Sequence, residues 1–250
     1  MWDPEQYARY AGERGRPFVE LTRRIRAEGP AYVVDLGCGD GELTGSLAQR
    51  WPAATVLGVD SSAEMLAKAT PADRLAFTEA DIADWQPDRP VDVLVSNAAL
   101  QWVPGHPDLL ARWVGWLSPG GVLAFQVPGN YRTAAFDLLR GLVRSPRWRG
   151  RVPDVPETRV LEPAEYLDRL AGLGCTVDAW ETTYLHLLQG EDPVLEWKRG
   201  TALRPVLSGL STVDVEEFAR EYGARLREAY PRNDHGTVFP FRRIFVVAGR

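Results

Sequence analysis

The stretch Val33-Val34-Asp35-Leu36-Gly37-Cys38-Gly39-Asp40-Gly41 decides how this chain folds. Its first half is apolar and β-branched, the signature of a short buried strand. Its second half sets three glycines in a G-x-G-x-G turn, and Glu42–Arg50 then reads as a helix. A strand turning through glycines into a helix is where doubly wound sheets bind ligands. Glycine closes the turn and lets the backbone approach a ligand without an intervening Cβ. A dinucleotide fingerprint would be G-x-G-x-x-G, its helix N-terminus cradling a pyrophosphate. Here the third glycine comes one residue early, and Asp35 and Asp40 flank the turn. Carboxylates there repel a pyrophosphate but suit a ligand that carries an ammonium and a sulfonium.

Working outward, the turn belongs to a rhythm of strands and helices. Tyr32–Leu36, Thr55–Val59, Leu75–Glu79, Val91–Ser96 and Gly121–Val127 read as strands. Between them, Glu42–Arg50, Ser62–Ala69 and Asp108–Leu117 read as helices. Such alternation implies right-handed crossovers and a parallel sheet covered on both faces, an α/β fold. Before it, Asp3-Pro4 opens a short helix through Tyr7 and Tyr10; Gly12 and Gly15 interrupt it, and Pro17 starts a second helix. After Pro128 the rhythm loosens. Helices are expected at Thr133–Val143, Pro163–Leu173, Asp192–Leu210 and Val213–Tyr230, with strands at Thr176–Leu187 and Arg243–Ala248. The reading is one domain over 1–250, in which 1–29 is an N-terminal helical segment and 130–163 and 190–232 are cap elements over the strand ends.

The other strand ends carry matching chemistry. Asp60 ends the second strand, placed to accept both hydroxyls of a ribose through one carboxylate, with Ser61 beside it. Asp81 ends the third, where a short acid suits the exocyclic amine of adenine, and Ile82 and Met65 are placed to sandwich the base. Asn97 follows the fourth, at the reach of an amino-acid tail.

These four ordered stations, Asp35–Gly41, Asp60, Asp81-Ile82 and Asn97, resemble class I S-adenosylmethionine methyltransferases. Glu13-Arg14-Gly15-Arg16-Pro17, Arg50-Trp51-Pro52, Asp84-Trp85-Gln86-Pro87, Leu100-Gln101-Trp102, Thr182-Thr183-Tyr184, Leu203-Arg204-Pro205 and Pro240-Phe241-Arg242-Arg243 resemble the trans-aconitate methyltransferase family in particular. The resemblance runs nearly end to end. It implies a seven-stranded, mostly parallel Rossmann-like sheet with its last strand antiparallel. It also implies S-adenosylmethionine as cofactor, S-adenosylhomocysteine as product, and monomethyl esterification of trans-aconitate, a small-molecule tricarboxylate. One departure is Asp40, where such loops often carry Pro, and no role is assigned to it.

The residues can be asked independently whether that chemistry suits them. A carboxylate is ionised at neutral pH, so methylating its oxygen needs no general base. Alignment and removal of water carry the rate instead. His106, His186 and His235 form no pair or triad, in agreement. A trianionic acceptor needs cations, preferably arginines for two-pronged contacts. Seven arginines against three acids lie between Asn130 and Val160, and Arg204 and Arg242 are the two singled out for substrate. Gln101, Trp102 and Tyr184 are candidates for positioning the acceptor, with Trp197 lining its pocket. Tyr10 and Arg16 are candidates to close over the cofactor, Arg16 at its carboxylate. A carboxyl methyltransferase acting on malonyl-carrier thioesters, a nicotinamide-dependent oxidoreductase and a non-catalytic cofactor-binding module remain open as alternatives.

Bulk properties bound the rest. Hydrophobic residues at 45% and charged residues at 25% allow a sizeable core in 250 residues. A net charge of −5 argues against nucleic acid or a membrane surface as partner. No apolar run approaches the roughly 20 residues of a membrane span. No metal spacing involves Cys38 or Cys175, and two lone thiols suit a reducing cytoplasm.

Overall fold

The computed structural model describes residues 11–155, 160–200 and 203–250. The helix at Asp3-Pro4, Tyr10 and Arg159 of the basic segment lie outside the described residues. The strands are β1 (Tyr32–Leu36), β2 (Thr55–Asp60), β3 (Leu75–Glu79), β4 (Val91–Asn97), β5 (Leu117–Pro128), β6 (Thr176–Leu188), β7 (Arg232–Asn233) and β8 (Gly236–Gly249). The helices are α1 (Ala11–Arg23), α2 (Glu42–Arg50), α3 (Ala63–Leu66), α4 (His106–Gly115), α5 (Ala134–Val143), α6 (Pro163–Ala171), α7 (Pro193–Arg199), α8 (Arg204–Leu207) and α9 (Thr212–Ala229).

The sheet runs β3-β2-β1-β4-β5-β8-β6. β1 to β5 pair in parallel and β8 returns antiparallel to β5, from Val122↔Gly249 to Pro128↔Arg243. Strand order reverses between β1 and β4, and the glycine turn lies at that switch point. Every residue of β1 is buried, which is why it reads as an unbroken apolar run and not as an alternating one. The sheet has eight strands where seven were expected, because β7 forms a hairpin with β8 through Arg232↔Thr237 and Asn233↔Gly236.

The chain divides into two compact units, built mainly from described residues 12–128, 160–182 and 243–250, and from 129–155, 183–200 and 203–242. The first unit's core gathers Val34, Leu36, Leu94, Leu123 and Phe125 of the sheet with Leu110 and Trp113 of α4 and Tyr166 of α6. The second unit packs Leu139 and Leu142 of α5, Val194, Leu195 and Trp197 of α7 and Phe218, Tyr222 and Leu226 of α9 around Phe239 and Phe241. The expected cap segments 130–163 and 190–232 supply most of this second unit.

Three expectations are corrected. The first is the interruption before Pro17: α1 runs unbroken through Gly12, Gly15 and Pro17. Burial explains it, since Phe18 and Leu21 on α1 and Ile25 just beyond are all fully buried. Each contributes about 1.5–3 kcal/mol, which outweighs the roughly 3 kcal/mol of a mid-helix proline. Second, Ser62–Ala69 shrinks to the four residues of α3, capped by the Ser62 hydroxyl, and none of the four is buried. Third, Asp192–Leu210 breaks after Arg199 into α7 and α8.

Three of the seven arginines of the basic segment after β5 are accounted for by ion pairs inside the second unit. Arg147 pairs with Glu217 and Glu221, Arg151 with Asp214 at 2.6 Å, and Arg140 with Asp137 at 2.6 Å. Two of these three arginines tie the loop after α5 to α9, which removes them as free cations for a ligand.

A buried polar pair sits in the first unit's core. His106 Nε2 lies 2.6 Å from the Tyr166 hydroxyl, and both side chains are buried. Burial pushes the His106 ring down from 6.5 to about 4, against the opposing pull of the Val103 backbone and Asp108. The unfolded chain therefore binds a proton that the folded chain refuses between about pH 4 and 6.5, so this residue's contribution falls as pH drops through that window. Asp35, raised from 3.8 to about 6, works oppositely: its folded form holds a proton longer, so stability falls as pH rises through its window. The two oppose each other in the native chain. The urea-derived stability difference between native protein and His106→Phe isolates the histidine. It is expected to move in the native protein's favour by about 3 kcal/mol from pH 4 to 6.5, and a pH-independent difference rules out the neutral buried ring.

Candidate active site

Gly37, Gly39 and Gly41 all adopt left-handed backbone angles, with φ of 79°, 58° and 77°. Space forbids a side chain as firmly as the angles do. A Cβ on Gly37 would lie 2.1 Å from the Ala99 Cβ, and one on Gly41 would lie 2.6 Å from the Phe77 ring. The turn is pulled onto β2 by two bonds to one carbonyl, Gly37 N–H and Cys38 N–H donating to Val59 O at 2.7 and 3.1 Å. Beneath it Asp35 is 3% exposed and accepts the Thr44 hydroxyl at 2.7 Å, tying β1 to α2. Burial is the main cause of its raised pKa; the Thr44 bond opposes it and Asp60 adds to it. Asp35, counted among the ligand-facing acids, thus acts on the turn from below. Asp40 gains a role: its Oδ1 accepts the Glu42 N–H at 3.3 Å and starts α2.

Asp60 holds two backbone segments at once. Its Oδ2 accepts the Gly39 N–H at 2.8 Å and its Oδ1 the Ser62 N–H at 2.9 Å. Each carboxylate oxygen keeps a second lone pair for a ligand hydroxyl. Ser61 beside it is exposed. Half-buried Met65 brings its Cε to 3.3 Å from where a Gly39 Cβ would stand. Asp81 is exposed and accepts the Ala83 N–H at 2.8 Å. Buried Ile82 reaches to 3.4 Å from the position of a Gly37 Cβ. The structure therefore brings Gly37, Ile82 and Ala99 together, and sets Met65 and Asp60 against Gly39.

At the end of β4 the chain leaves polar atoms unsatisfied. Among the described residues, Asn97 Oδ1 and Gln101 Oε1 are buried and have no hydrogen-bond partner. The Gln101 amide nitrogen donates to Ala98 O, which fixes the flip and turns Oε1 the other way. Ala98 between them is held at φ 54°, a left-handed angle rare for a residue with a side chain. Each buried acceptor left unpaired costs about 1–3 kcal/mol. Two carbonyl acceptors flanking Ala99, which packs against Gly37, fit the ammonium of an amino-acid tail. The donor-poor, acid-flanked turn fits S-adenosylmethionine on the same grounds.

The remaining candidates are scattered. Trp102 is 60% exposed and Arg16 is exposed. In the second unit, Tyr184 and Trp197 are each 3% exposed. Trp197 packs among His186 at 4.9 Å, Phe241 at 5.5 Å and Phe239 at 5.8 Å, ring centre to ring centre, as part of that core. Arg204 opens α8 and is half-buried, as is Arg242. Sequence reasoning missed Asn130, whose side chain accepts the Arg242 N–H at 2.9 Å and donates to Arg242 O at 3.0 Å, clamping that residue's backbone. It also missed Lys198, whose buried ammonium lies 4.3 Å over the Phe136 ring and which burial pushes down to about 7. Gln126 and Arg243, both buried on β5 and β8, were missed as well. The signal for Gln126 was present, as the single polar residue in Val122–Val127.

A parallel sheet reversing at β1/β4, with a glycine turn and ordered acids on its strand ends, defines a methyltransferase domain, and the model of a methyltransferase domain matches residues 33–121. Among solved structures, the S-adenosylmethionine-dependent methyltransferase of Geobacter sulfurreducens in complex with S-adenosylhomocysteine is similar in fold. Its TM-score is 0.56 at 19% identity, covering 100% of this chain and 92% of that one. The YcgJ protein of Bacillus subtilis is similar with a TM-score of 0.59 at 14% identity, covering 94% and 98%. Sequence goes further than fold. The trans-aconitate 2-methyltransferase of Streptomyces avermitilis is 53% identical over 99% of this chain and 96% of its own length. That of Rhodococcus jostii is 52% identical over 99% of each, and that of Mycobacterium tuberculosis 49% over 99% and 96%. The chain belongs to the trans-aconitate 2-methyltransferase family.

Proposed function

We propose that this chain esterifies one carboxylate of trans-aconitate with the methyl group of S-adenosylmethionine, releasing S-adenosylhomocysteine. The observation that carries the reading is the 53% identity, held over 99% of the chain, with a trans-aconitate 2-methyltransferase. When bound, the cofactor supplies an electrophilic methyl on a sulfonium. Every other requirement falls on the chain's own residues. Gly37, Gly39 and Asp60 hold the nucleoside, Asp81, Ile82 and Met65 its base, and Asn97 and Gln101 the ammonium. Ser61, Arg16 and Tyr10 complete the assignment on the cofactor side. A cytoplasmic location suits the two buried free thiols, Cys38 and Cys175.

The acceptor brings its own negative charge, so no side chain has to remove a proton. His106 supports this reading, because burial holds its ring neutral in the core, against Tyr166. What the acceptor demands is cations. Arg204 and Arg242 are assigned to its carboxylates, with Asn130 holding Arg242 in place. Tyr184, Trp197 and Trp102 shape the site around them. Arg242→Ala and Arg204→Ala are each expected to raise the KM for trans-aconitate by about 10- to 100-fold, the worth of one charge-assisted contact. The affinity for S-adenosylhomocysteine should stay put. Steady-state kinetics with calorimetric binding separates the two, and an unchanged KM in both variants removes these arginines from the acceptor site. The reading itself is tested by methyl transfer from labelled cofactor to a panel of di- and tricarboxylates and a malonyl thioester. Absence of trans-aconitate ester overturns it.

A further inference from the structure

Gln126 is fully buried yet polar, near the carboxyl end of β5, in a run that is otherwise apolar. Its orientation is settled by Arg243 on the neighbouring strand, whose Nη1 donates to Gln126 Oε1 at 3.3 Å. The reverse flip would set the amide NH2 against the guanidinium, donor against donor. Nε2 is therefore the free end, and among the described residues it is buried with no hydrogen-bond partner.

Its place in the sheet says what kind of group is missing. Gln126 is the register partner of Asn97 on β4, and its backbone carbonyl accepts the Ala98 N–H at 2.9 Å. Side chains at paired positions of parallel strands share a face. Two neighbouring strands thus present unsatisfied atoms of opposite sense, an acceptor on Asn97 and a donor on Gln126. The acceptor calls for a cation and the donor, backed by a guanidinium, for an anion. The cofactor stations come from β1, β2, β3 and β4, and β5 is the next strand beyond β4 in the sheet order. Ligands of such sheets lie outside the carboxyl ends of the strands. The end of β5 is thus next to the cofactor stations in the sheet order, where a second ligand can be received.

We infer that Gln126, oriented by Arg243, donates its amide N–H to a carboxylate of the acceptor and so helps select it. The inference rests on the reading that the acceptor is a carboxylate. It makes Gln126 a specificity residue of the first unit, separate from the arginines assigned above.

The test uses the full chain and Gln126→Met, which keeps the volume and removes the donor. The KM for trans-aconitate should rise about tenfold or more, as for the loss of a hydrogen bond to a charged group. The Kd for S-adenosylhomocysteine should stay within about twofold. The melting temperature of the ligand-free Gln126→Met should fall modestly, because Arg243 Nη1 loses the oxygen that accepts from it. Gln126→Glu, which sets an anion against an anion, should raise the KM further. A KM within about twofold of native in Gln126→Met overturns the inference. So does a matching rise in the S-adenosylhomocysteine Kd, which would assign the amide to the cofactor's carboxylate. A KM within about twofold of native in Gln126→Glu, which keeps an acceptor for Arg243 Nη1 and lacks the donor, overturns it too. If the native protein itself leaves trans-aconitate unesterified, the functional reading fails and takes the inference with it. A native protein that turns it over beside an unmoved variant sinks the inference alone.

Discussion

Asp60→Ala is expected to weaken S-adenosylhomocysteine binding by about 100-fold or more, the largest loss from any single side chain in the site. The expectation comes from what the carboxylate already does. It holds the Gly39 N–H at 2.8 Å and the Ser62 N–H at 2.9 Å, so one side chain fastens the glycine turn to the start of α3. A hydrogen bond to a charged group contributes about 1.5–3 kcal/mol, and each 1.4 kcal/mol is a factor of ten. Removing the acid frees both backbone segments and also takes away the acceptor for the ribose hydroxyls. Asp60→Asn keeps one carbonyl acceptor and should fall between the two. Calorimetry with S-adenosylhomocysteine measures the loss, and thermal melting of the apo variant reports how much of it is loop stability. Native affinity in Asp60→Ala would remove this residue from the cofactor site.

The same logic explains why so little of the site is acid–base machinery. Methylating a carboxylate requires placement and dry surroundings, not a poised proton acceptor. Accordingly, the strongly shifted groups are explained by burial in the two cores. His106 lies against Tyr166, Asp35 is bonded to Thr44, and Lys198 lies over the rings of Phe136 and Phe239. Their shifts come first from burial, and their effect is on folding and rigidity.

How much of this could be read beforehand depends on how local the cause is. The G-x-G-x-G turn was legible because left-handed backbone angles are a property of single residues, and glycine announces them. Asp60 and Asp81 were legible because strand ends follow from short apolar runs. The unbroken α1 was not, because the burial that overrides Pro17 depends on packing from elsewhere in the chain. Nor were the partners of Arg147 and Arg151, which lie on α9 more than sixty residues away. The basic segment looked like a cation reserve, and ion pairing within the second unit engages three of its seven arginines. Asp35 looked like a ligand-facing acid because sequence places it beside the turn but cannot say on which side of the backbone its carboxylate points. Gln126 was visible as an oddity in an apolar strand, yet its meaning needed the contact with Arg243, 117 residues on.

Gly37→Ala is the second large effect, and it tests the turn's geometry independently of any charge. The added Cβ meets the Ala99 Cβ at 2.1 Å and the Ala99 Cα at 3.6 Å, with Ile82 at 3.4 Å. A contact of 2.1 Å cannot be relieved by rotating a side chain, because both atoms are fixed to backbone. Either the turn or the Ala98-Ala99 segment must move. The left-handed φ of 79° adds about 1–2 kcal/mol for any residue with a Cβ. With the clash included, a loss of at least about 3 kcal/mol is expected, which for a chain of this size lowers the melting temperature by roughly 6–12 °C. Binding should suffer by a comparable amount. The two segments that must separate carry Gly39 on one side and Asn97 and Gln101 on the other, so S-adenosylhomocysteine affinity should fall by about 100-fold or more. Ala99→Gly in the Gly37→Ala background removes the Cβ that is struck and leaves only the backbone strain. It should therefore recover most of the lost affinity and about half of the lost stability, a coupling that thermal melting and calorimetry read directly. Equal affinity in Gly37→Ala and the native protein would mean that this turn does not hold the cofactor. A double variant no better than Gly37→Ala would mean that the contact with Ala99 is not what the glycine is for.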